Sequence, residues 1–181
     1  MLKPLGSGYT VTNCADIDIN DPKNALIIGE IVKEAKIIHS EIILTVMNID
    51  SFLGDLIAIF FTYGTEGNFQ IFEELIIEQF SFEKKIQILE KIMENHWERF
   101  GPSKDFKKEF FEQVRYVQNH RNAFAHGDMI VDFKNRTAHI YHKQKPYPLT
   151  PEFLKDFQSR ISYLSWGYFS CQINLVNTLR K

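Results

Sequence analysis

Apolar residues recur at three- and four-residue steps along most of this chain, and this spacing restricts the fold more than any other feature of the sequence. The first series follows Asp21-Pro22, where an aspartate able to cap a helix precedes a proline suited to its first turn. Its members are Ile27, Ile28, Ile31, Val32, Ala35, Ile38 and Ile42. Because residues at these steps share one face of an α-helix, the series predicts an amphipathic helix.

Further helices are predicted from the same periodicity, with boundaries set by capping residues, glycine and proline. In chain order they run from Asp50-Ser51 to a stop near Gly64 and Gly67, from Phe69 to Phe80, from Ser81 to Gly101-Pro102, from Ser103 to His126-Gly127 and from Thr150-Pro151 past Leu175. Residues 129–142 differ, because apolar residues flank a polar Lys134-Asn135-Arg136 turn, which predicts a β-hairpin. Residues 145–148, with two prolines, are predicted to form a rigid loop.

The predicted fold is therefore all-α: a bundle of about five to six helices with a small β-hairpin before the C-terminal helix. Residues 1–20 are polar and aperiodic, which predicts a flexible or extended N-terminal arm. Residues 21–181 are predicted to form a single domain, in keeping with a chain of 181 residues.

Opposite charges nearly cancel over the whole chain, with 21 Lys and Arg against 23 Asp and Glu and a formal net charge of −2. This balance excludes a protein that binds nucleic acid over its whole surface by charge alone. Between residues 104 and 145, however, nine Lys or Arg stand against five Asp or Glu, a local charge of 9 − 5 = +4. The near-neutral average is therefore compatible with a focused phosphate-binding cleft.

Several features of the sequence predict a cytoplasmic protein. The N-terminus has no apolar leader, and the best candidate for a membrane span, Phe52 to Phe61, is short and carries Asp55. The two cysteines, Cys14 and Cys171, are far apart and have no metal-ligand spacing, which favours free thiols in a reducing compartment. No membrane association is expected.

The segment Arg121-Asn122-Ala123-Phe124-Ala125-His126-Gly127, at the predicted end of a helix, carries the most chemistry. Arginine is permanently charged and suits a phosphate, and histidine exchanges protons near neutral pH. Asn122 and His126 are four residues apart and share a helix face, while Arg121 is long enough to reach across. These three side chains are able to hold a phosphodiester and move a proton, which suits cleavage of RNA through its own 2′-hydroxyl without a metal ion.

This segment resembles the signature of HEPN domains, in which an arginine and a polar residue precede a histidine, with four to six positions between the arginine and the histidine. The apolar segment from Leu53 to Phe61, which carries an acidic residue at Asp55, is similar to the second helix of the family. The sequence from Phe80 to Ile86 and the hairpin are also similar. The resemblance covers roughly residues 25–175, and its specific part is the arginine–histidine motif.

The resemblance implies an all-α protein that forms a homodimer through its motif helices, so that two arginine–histidine pairs line one cleft. It also implies a metal-independent endoribonuclease that needs no cofactor, of the kind found in toxin–antitoxin and phage-defence systems. RNA or a nucleotide is then the ligand, and an antitoxin is a further candidate partner. In this interpretation Arg121 and His126 are catalytic, and Asn122 and Asp55 support them.

Two other interpretations stay open. The first is a non-catalytic HEPN module that binds a nucleotide, RNA or a partner protein. The second is a structural helical dimer in which the motif is incidental, since an arginine and a histidine at a helix end also commonly cap its last carbonyls. Asp55 either orients Arg121 or His126 or is simply a tolerated polar residue.

Spacing alone does not select the Arg121–His126 pair, because two other pairs match it. Arg115 and His120 lack the surrounding asparagine, alanine and glycine, and Arg136 and His142 fall on the predicted hairpin. A metal site at His139 and His142 is not expected, because residues three apart on a strand point to opposite faces. The context of the motif, rather than its spacing, therefore identifies the candidate site.

Overall fold

A computed structural model of the protein describes residues 8–13, 18, 21–63, 65–101 and 104–179. Within these ranges the chain forms five α-helices and four β-strands. In chain order they are β1 (Tyr9–Thr12), α1 (Pro22–Thr62), α2 (Glu66–Leu75), α3 (Phe82–Asn95), α4 (Lys104–His126), β2 (Asp128–Asp132), β3 (Thr137–His142), β4 (Lys145–Pro148) and α5 (Pro151–Leu179). The protein is thus mostly helical, as predicted, but it contains a four-stranded sheet where a hairpin alone was expected.

The first helix, α1, is a single helix of 41 residues, and the predicted break at Asp50-Ser51 is wrong. Residues 43–50 contain neither glycine nor proline, and buried side chains continue at helical spacing through Val46 and Ile49 to Leu53. Asp50 does not cap a helix, because its carboxylate instead pairs with the Lys85 ammonium at 2.9 Å. A polar residue that suggested a helix start therefore serves a tertiary contact.

Because α1 is unbroken, it is long enough to be compared with a membrane-spanning helix. By length and composition alone, α1 contains an 18-residue window apolar enough to cross a membrane, and half of that window is buried inside the structure. The candidate span predicted from the sequence, residues 52–61, is therefore only the last part of a longer apolar helix. A core helix passes the same test of length and composition, and a cytoplasmic location stays a prediction.

Three predicted helix starts are confirmed by their capping contacts. The Asp21 carboxylate accepts a hydrogen bond from the backbone N–H of Lys23, 2.9 Å away, at the start of α1. The Ser81 hydroxyl accepts from the Lys84 N–H at 3.2 Å before α3, and the Thr150 hydroxyl accepts from the Phe153 N–H at 3.2 Å before α5. The predicted cap at Ser103 lies outside the described residues.

The predicted bounds of two helices are displaced. Helix α2 was predicted from Phe69 to Phe80 but runs from Glu66 to Leu75, and it includes Gly67, which was predicted to be part of a stop. The third helix, α3, ends at Asn95 and is followed by a 3-10 turn, Trp97–Arg99, so Gly101 does not terminate it. Gly101 instead lies against the Trp97 ring, where a Cβ atom would come within 2.7 Å of the indole.

The described residues group into two compact units, and α1, α4 and α5 contribute residues to both. The first unit spans residues 1–44 and 119–158 and contains the sheet. Strand β1, which falls in the predicted N-terminal arm, pairs in parallel with β2, with Val11 opposite Val131. Strands β2 and β3 form the predicted hairpin, with Met129 opposite Ile140.

Residues 145–148, predicted to be a loop, form the edge strand β4, which pairs antiparallel with β3. Lys143 and Gln144 connect the two strands with positive φ angles of 49° and 64°. Such angles are typical of tight hairpin turns, although neither residue is a glycine or asparagine that would have signalled one. Pro146 and Pro148 are tolerated because an edge strand needs fewer backbone donors than a central strand.

The second unit spans residues 45–118 and 159–181 and has a larger aliphatic and aromatic core. Its fully buried side chains include Leu53, Leu56, Ile57, Ile86, Leu89, Met93, Phe100, Leu164 and Leu175. Phe110 and Phe111 on α4 are buried in this core as well. Cys171 is a free, buried thiol, and burial raises its pKa to about 12.

Candidate functional site

The motif lies in the last two turns of α4, in the first unit. Ala123 and Phe124 are almost fully buried, whereas Arg121 and Asn122 are half-buried and His126 is exposed. The Arg121 Nη1 donates a hydrogen bond to the Asn122 Oδ1 at 3.3 Å. The buried residues hold the helix end while the arginine and the histidine remain accessible to a ligand.

Phe124 anchors the motif helix within the first unit. Its ring stacks on Phe153 with centroids 6.1 Å apart and lies edge-on to Tyr147 at 6.0 Å. The neighbouring His120 is also buried, and its ring contacts Phe153 at 5.8 Å and Phe157 at 5.3 Å. This aromatic cluster joins the end of α4 to the start of α5 and to β4, so the backbone beneath Arg121 is firmly packed.

Gly127 is required by a close approach between the end of α4 and strand β3. A Cβ atom at this position would lie 2.5 Å from the Ala123 carbonyl oxygen and 2.9 Å from the Tyr141 carbonyl oxygen, and it would also overlap Ile140. Gly127 was predicted to be a helix stop. The structure supplies a different reason for a glycine, because only a residue without Cβ allows the strand to pass so close to the motif helix.

A histidine that the sequence analysis did not single out also contacts the motif helix. His39 of α1 lies 2.8 Å from the Phe124 carbonyl oxygen through its Nε2, and its ring stacks on Phe124. Because a carbonyl oxygen only accepts hydrogen bonds, Nε2 carries the proton. The last carbonyls of a helix have no helical donors, so His39 satisfies one of them directly beside the motif.

A signal for His39 was present in the sequence. It stands four residues after Ala35 and three before Ile42, both of which are buried, so it falls on the apolar face of α1. A polar side chain on such a face requires a partner. The position of His39 on an apolar face predicts that it has a hydrogen-bond partner, but it does not show that this partner is the Phe124 carbonyl.

We expect His39→Leu to lower the free energy of unfolding by about 1–2 kcal/mol, because it leaves the Phe124 carbonyl without its donor. His39→Gln keeps an N–H donor of similar reach and should recover part of the loss. Urea denaturation of the two variants and the wild type measures these differences in the free energy of unfolding. Equal stability of the leucine and glutamine variants would show that the hydrogen bond contributes nothing.

Asp55 lies in the second unit, and its nearest polar partner there is Tyr168, whose hydroxyl donates a hydrogen bond to the carboxylate at 3.0 Å. Burial raises the pKa of Asp55, and this effect exceeds the lowering by the Tyr168 hydrogen bond and by the Lys85 charge. The Phe52 ring stacks on Tyr168 with centroids 4.3 Å apart. The structure therefore gives Asp55 a packed partner, and its supporting role at the motif stays a prediction.

The raised pKa of Asp55 leads to a pH-dependent prediction. The folded state binds the Asp55 proton more tightly than the unfolded chain, so the resulting stabilisation is present below the ordinary value of 3.8 and is lost as the pH rises through the raised value. Asp55→Asn keeps an acceptor for Tyr168 and has no charge. Its stability relative to the wild type should therefore increase over that interval, as measured by urea denaturation at successive pH values. A difference that stays constant or shrinks as the pH rises contradicts this prediction.

The other two arginine–histidine pairs have different surroundings. The Arg115 guanidinium pairs with the Glu90 carboxylate at 2.7 Å, and His120 is buried in the aromatic cluster. Arg136 lies in the turn between β2 and β3 with a positive φ of 50°, and His142 ends β3. The assignment of the candidate site to Arg121 and His126 stays a prediction.

No group of three or more His, Cys, Asp and Glu side chains able to hold a metal ion is found among the described residues. Comparisons of the chain with protein-family models, with curated proteins and with solved structures find no match. The site is therefore interpreted from its own residues and from the resemblance of its motif.

Proposed function

We propose that the protein is a metal-independent endoribonuclease of the HEPN type. The observation that carries the proposal is the arrangement at the end of α4, where buried Ala123 and Phe124 fix the helix and leave Arg121 and His126 accessible to solvent. A permanent cation and a proton-exchanging ring on one rigid helix end are the two groups that phosphodiester cleavage needs. The HEPN fold itself belongs to this proposal.

The reaction uses the 2′-hydroxyl of the RNA as its nucleophile. The 2′-oxygen attacks the adjacent phosphorus and loses its proton to a base, while the bond from phosphorus to the 5′-oxygen breaks and that oxygen takes up a proton. His126 acts as the base or the acid, and Arg121 stabilises the negative charge that develops on the phosphorane. Asn122, which accepts a hydrogen bond from Arg121, holds the guanidinium in place.

A second copy of the chain completes the cleft in this proposal. Two motif helices side by side would supply two histidines, so that one acts as base and the other as acid. They would also double the local charge of +4 carried by residues 104–145. A role as a toxin or phage-defence component, with an antitoxin as partner, belongs to the same proposal.

The proposal is tested by incubating the purified protein with single-stranded RNA in EDTA. We expect cleavage that yields 2′,3′-cyclic phosphate and 5′-hydroxyl ends. The matched control is the same RNA with 2′-O-methyl groups, which lacks the nucleophile and should stay intact. Cleavage of both substrates, or a requirement for added metal, overturns the mechanism, and RNA binding without cleavage indicates the non-catalytic module.

A further inference from the structure

An apolar groove lies in the second unit, between the end of α1 and helix α2. Its volume is about 290 Å³, and its walls include Phe61, Asn68, Ile71, Phe72, Leu75 and Ile76. Phe61 and Phe72 hold the two walls together through a ring contact at 5.6 Å. The groove is therefore formed by packed residues, with its apolar surface turned outward.

The groove exposes more apolar surface than isolated surface residues would. Ile71 is 59% exposed and Leu75 is 66% exposed, and these residues are four positions apart on one face of α2. Phe61 is 50% exposed at the end of α1, and Tyr63 beside it is 65% exposed. Single exposed apolar residues are common, but a contiguous patch of this kind is typical of an interaction surface.

The stretch of sequence that contains the groove is acidic. Residues 37–83 contain eight Asp or Glu and no Lys or Arg, and α2 lies within this stretch. Glu74 precedes Leu75 in the chain, Glu78 follows Ile76 by two residues, and both glutamates are exposed. Lys84 and Lys85 follow this stretch directly, and Lys85 is buried and paired with the Asp50 carboxylate. The stretch itself supplies no cation for the exposed carboxylates of α2.

The pKa of Glu73 on α2 is consistent with this accumulation of negative charge. Burial raises it most, and the Asp55, Glu78 and Glu74 carboxylates raise it further, while Lys85 lowers it. Carboxylates that repel one another in this way are stabilised by any cation that is brought near them. These carboxylates also repel the anionic headgroups of a membrane surface, which argues against a lipid ligand.

We propose that this groove, bounded by Phe61, Ile71 and Leu75, is the docking site for a basic amphipathic helix of a partner protein. Apolar side chains of the partner, spaced by three and four residues, enter the groove between α1 and α2. Lysine or arginine side chains beside them lie against Glu74 and Glu78. The occupant is thus defined by the apolar walls of the groove and by the exposed carboxylates of Glu74 and Glu78, which lie close to Leu75 and Ile76 in the chain.

The binding test uses a fluorescently labelled Leu/Lys peptide of about 16 residues with helical spacing of its leucines. We expect saturable binding to the full-length protein by fluorescence anisotropy, and about tenfold weaker binding to Leu75→Ser and to Ile71→Ser. The control is Ile173→Ser on α5, since Ile173 is 58% exposed outside the groove and its replacement should change nothing. Equal loss in the control, or no loss in the groove variants, overturns the proposal.

The charge requirement is tested separately. A Leu/Glu peptide with the same leucine spacing should bind at least about tenfold more weakly than the Leu/Lys peptide, and Glu74→Lys combined with Glu78→Lys should weaken Leu/Lys binding to a similar degree. Glu30→Lys combined with Glu34→Lys, an equally spaced pair on α1, is the control. Equal binding of both peptides overturns the proposal. So does self-association through the groove, seen as a dimer in sedimentation that Leu75→Ser dissociates while the Leu/Lys peptide fails to bind.

Discussion

Arg121→Ala and His126→Ala are each expected to lower the rate of RNA cleavage by about 100-fold or more, which is the largest functional effect predicted for this chain. Removing Arg121 takes away the charge that stabilises the phosphorane, and removing His126 takes away the group that moves the proton. Because Arg121 is half-buried and His126 is exposed, neither change opens a cavity in the core. Initial rates on a labelled RNA, with circular dichroism to confirm the fold, measure the effect.

One other arginine and one other histidine, Arg136 and His142, serve as controls. Arg136→Ala and His142→Ala change a pair with a similar spacing on the hairpin, and both variants should cleave at the wild-type rate. If all four variants cleave equally, the activity arises elsewhere or from a contaminant. If the hairpin variants lose activity and the motif variants keep it, the motif was assigned incorrectly.

Gly127→Ala is expected to have the largest effect on stability, lowering the free energy of unfolding by about 2–3 kcal/mol. The new Cβ meets the carbonyl oxygens of Ala123 and Tyr141, and backbone atoms cannot rotate away as the end of a side chain can. For a chain of this size the loss corresponds to a melting temperature lower by about 5–10 °C. Thermal unfolding followed by circular dichroism measures the shift.

The matched control is Gly29→Ala on α1, where a Cβ atom meets nothing within 4 Å. Alanine is a better helix former than glycine, so this variant should be more stable than the wild type by about 0.5–1 kcal/mol. Opposite signs at the two glycines would separate the close approach at Gly127 from a general effect of replacing glycine. A Gly127→Ala variant as stable as the wild type would contradict the close approach.

Much of the motif helix could be predicted from the sequence. The helical periodicity through Phe110 and Val114 and the end at His126 were both anticipated, and α4 ends at that residue. The close approach at Gly127 could not be predicted, because one of the atoms that its Cβ would meet, the Tyr141 carbonyl oxygen, belongs to strand β3. His39 was missed for the same reason, since its partner is 85 residues away in the chain.

The polar residues of α1 show the limit of local rules most clearly. Aspartate is common at helix N-caps, so a helix break was predicted at Asp50. The structure places its carboxylate against Lys85, 35 residues away, so the helix continues. An aspartate side chain suits both a helix cap and a partly buried ion pair. Only its partner in the folded structure shows which of the two it forms.

By itself, the sequence determined the helical character of the protein, the starts of α1, α3 and α5, the hairpin of β2 and β3 and the position of the motif at a helix end. Each of these depends on residues within a few positions of one another, where apolar spacing and capping hydrogen bonds act. Only the tertiary structure decided that α1 is unbroken, that residues 145–148 form a strand and that β1 pairs with β2. Asn13 and Asp132, which hydrogen-bond beside those two strands, are 119 residues apart, and a contact over such a separation leaves no periodic pattern in the chain.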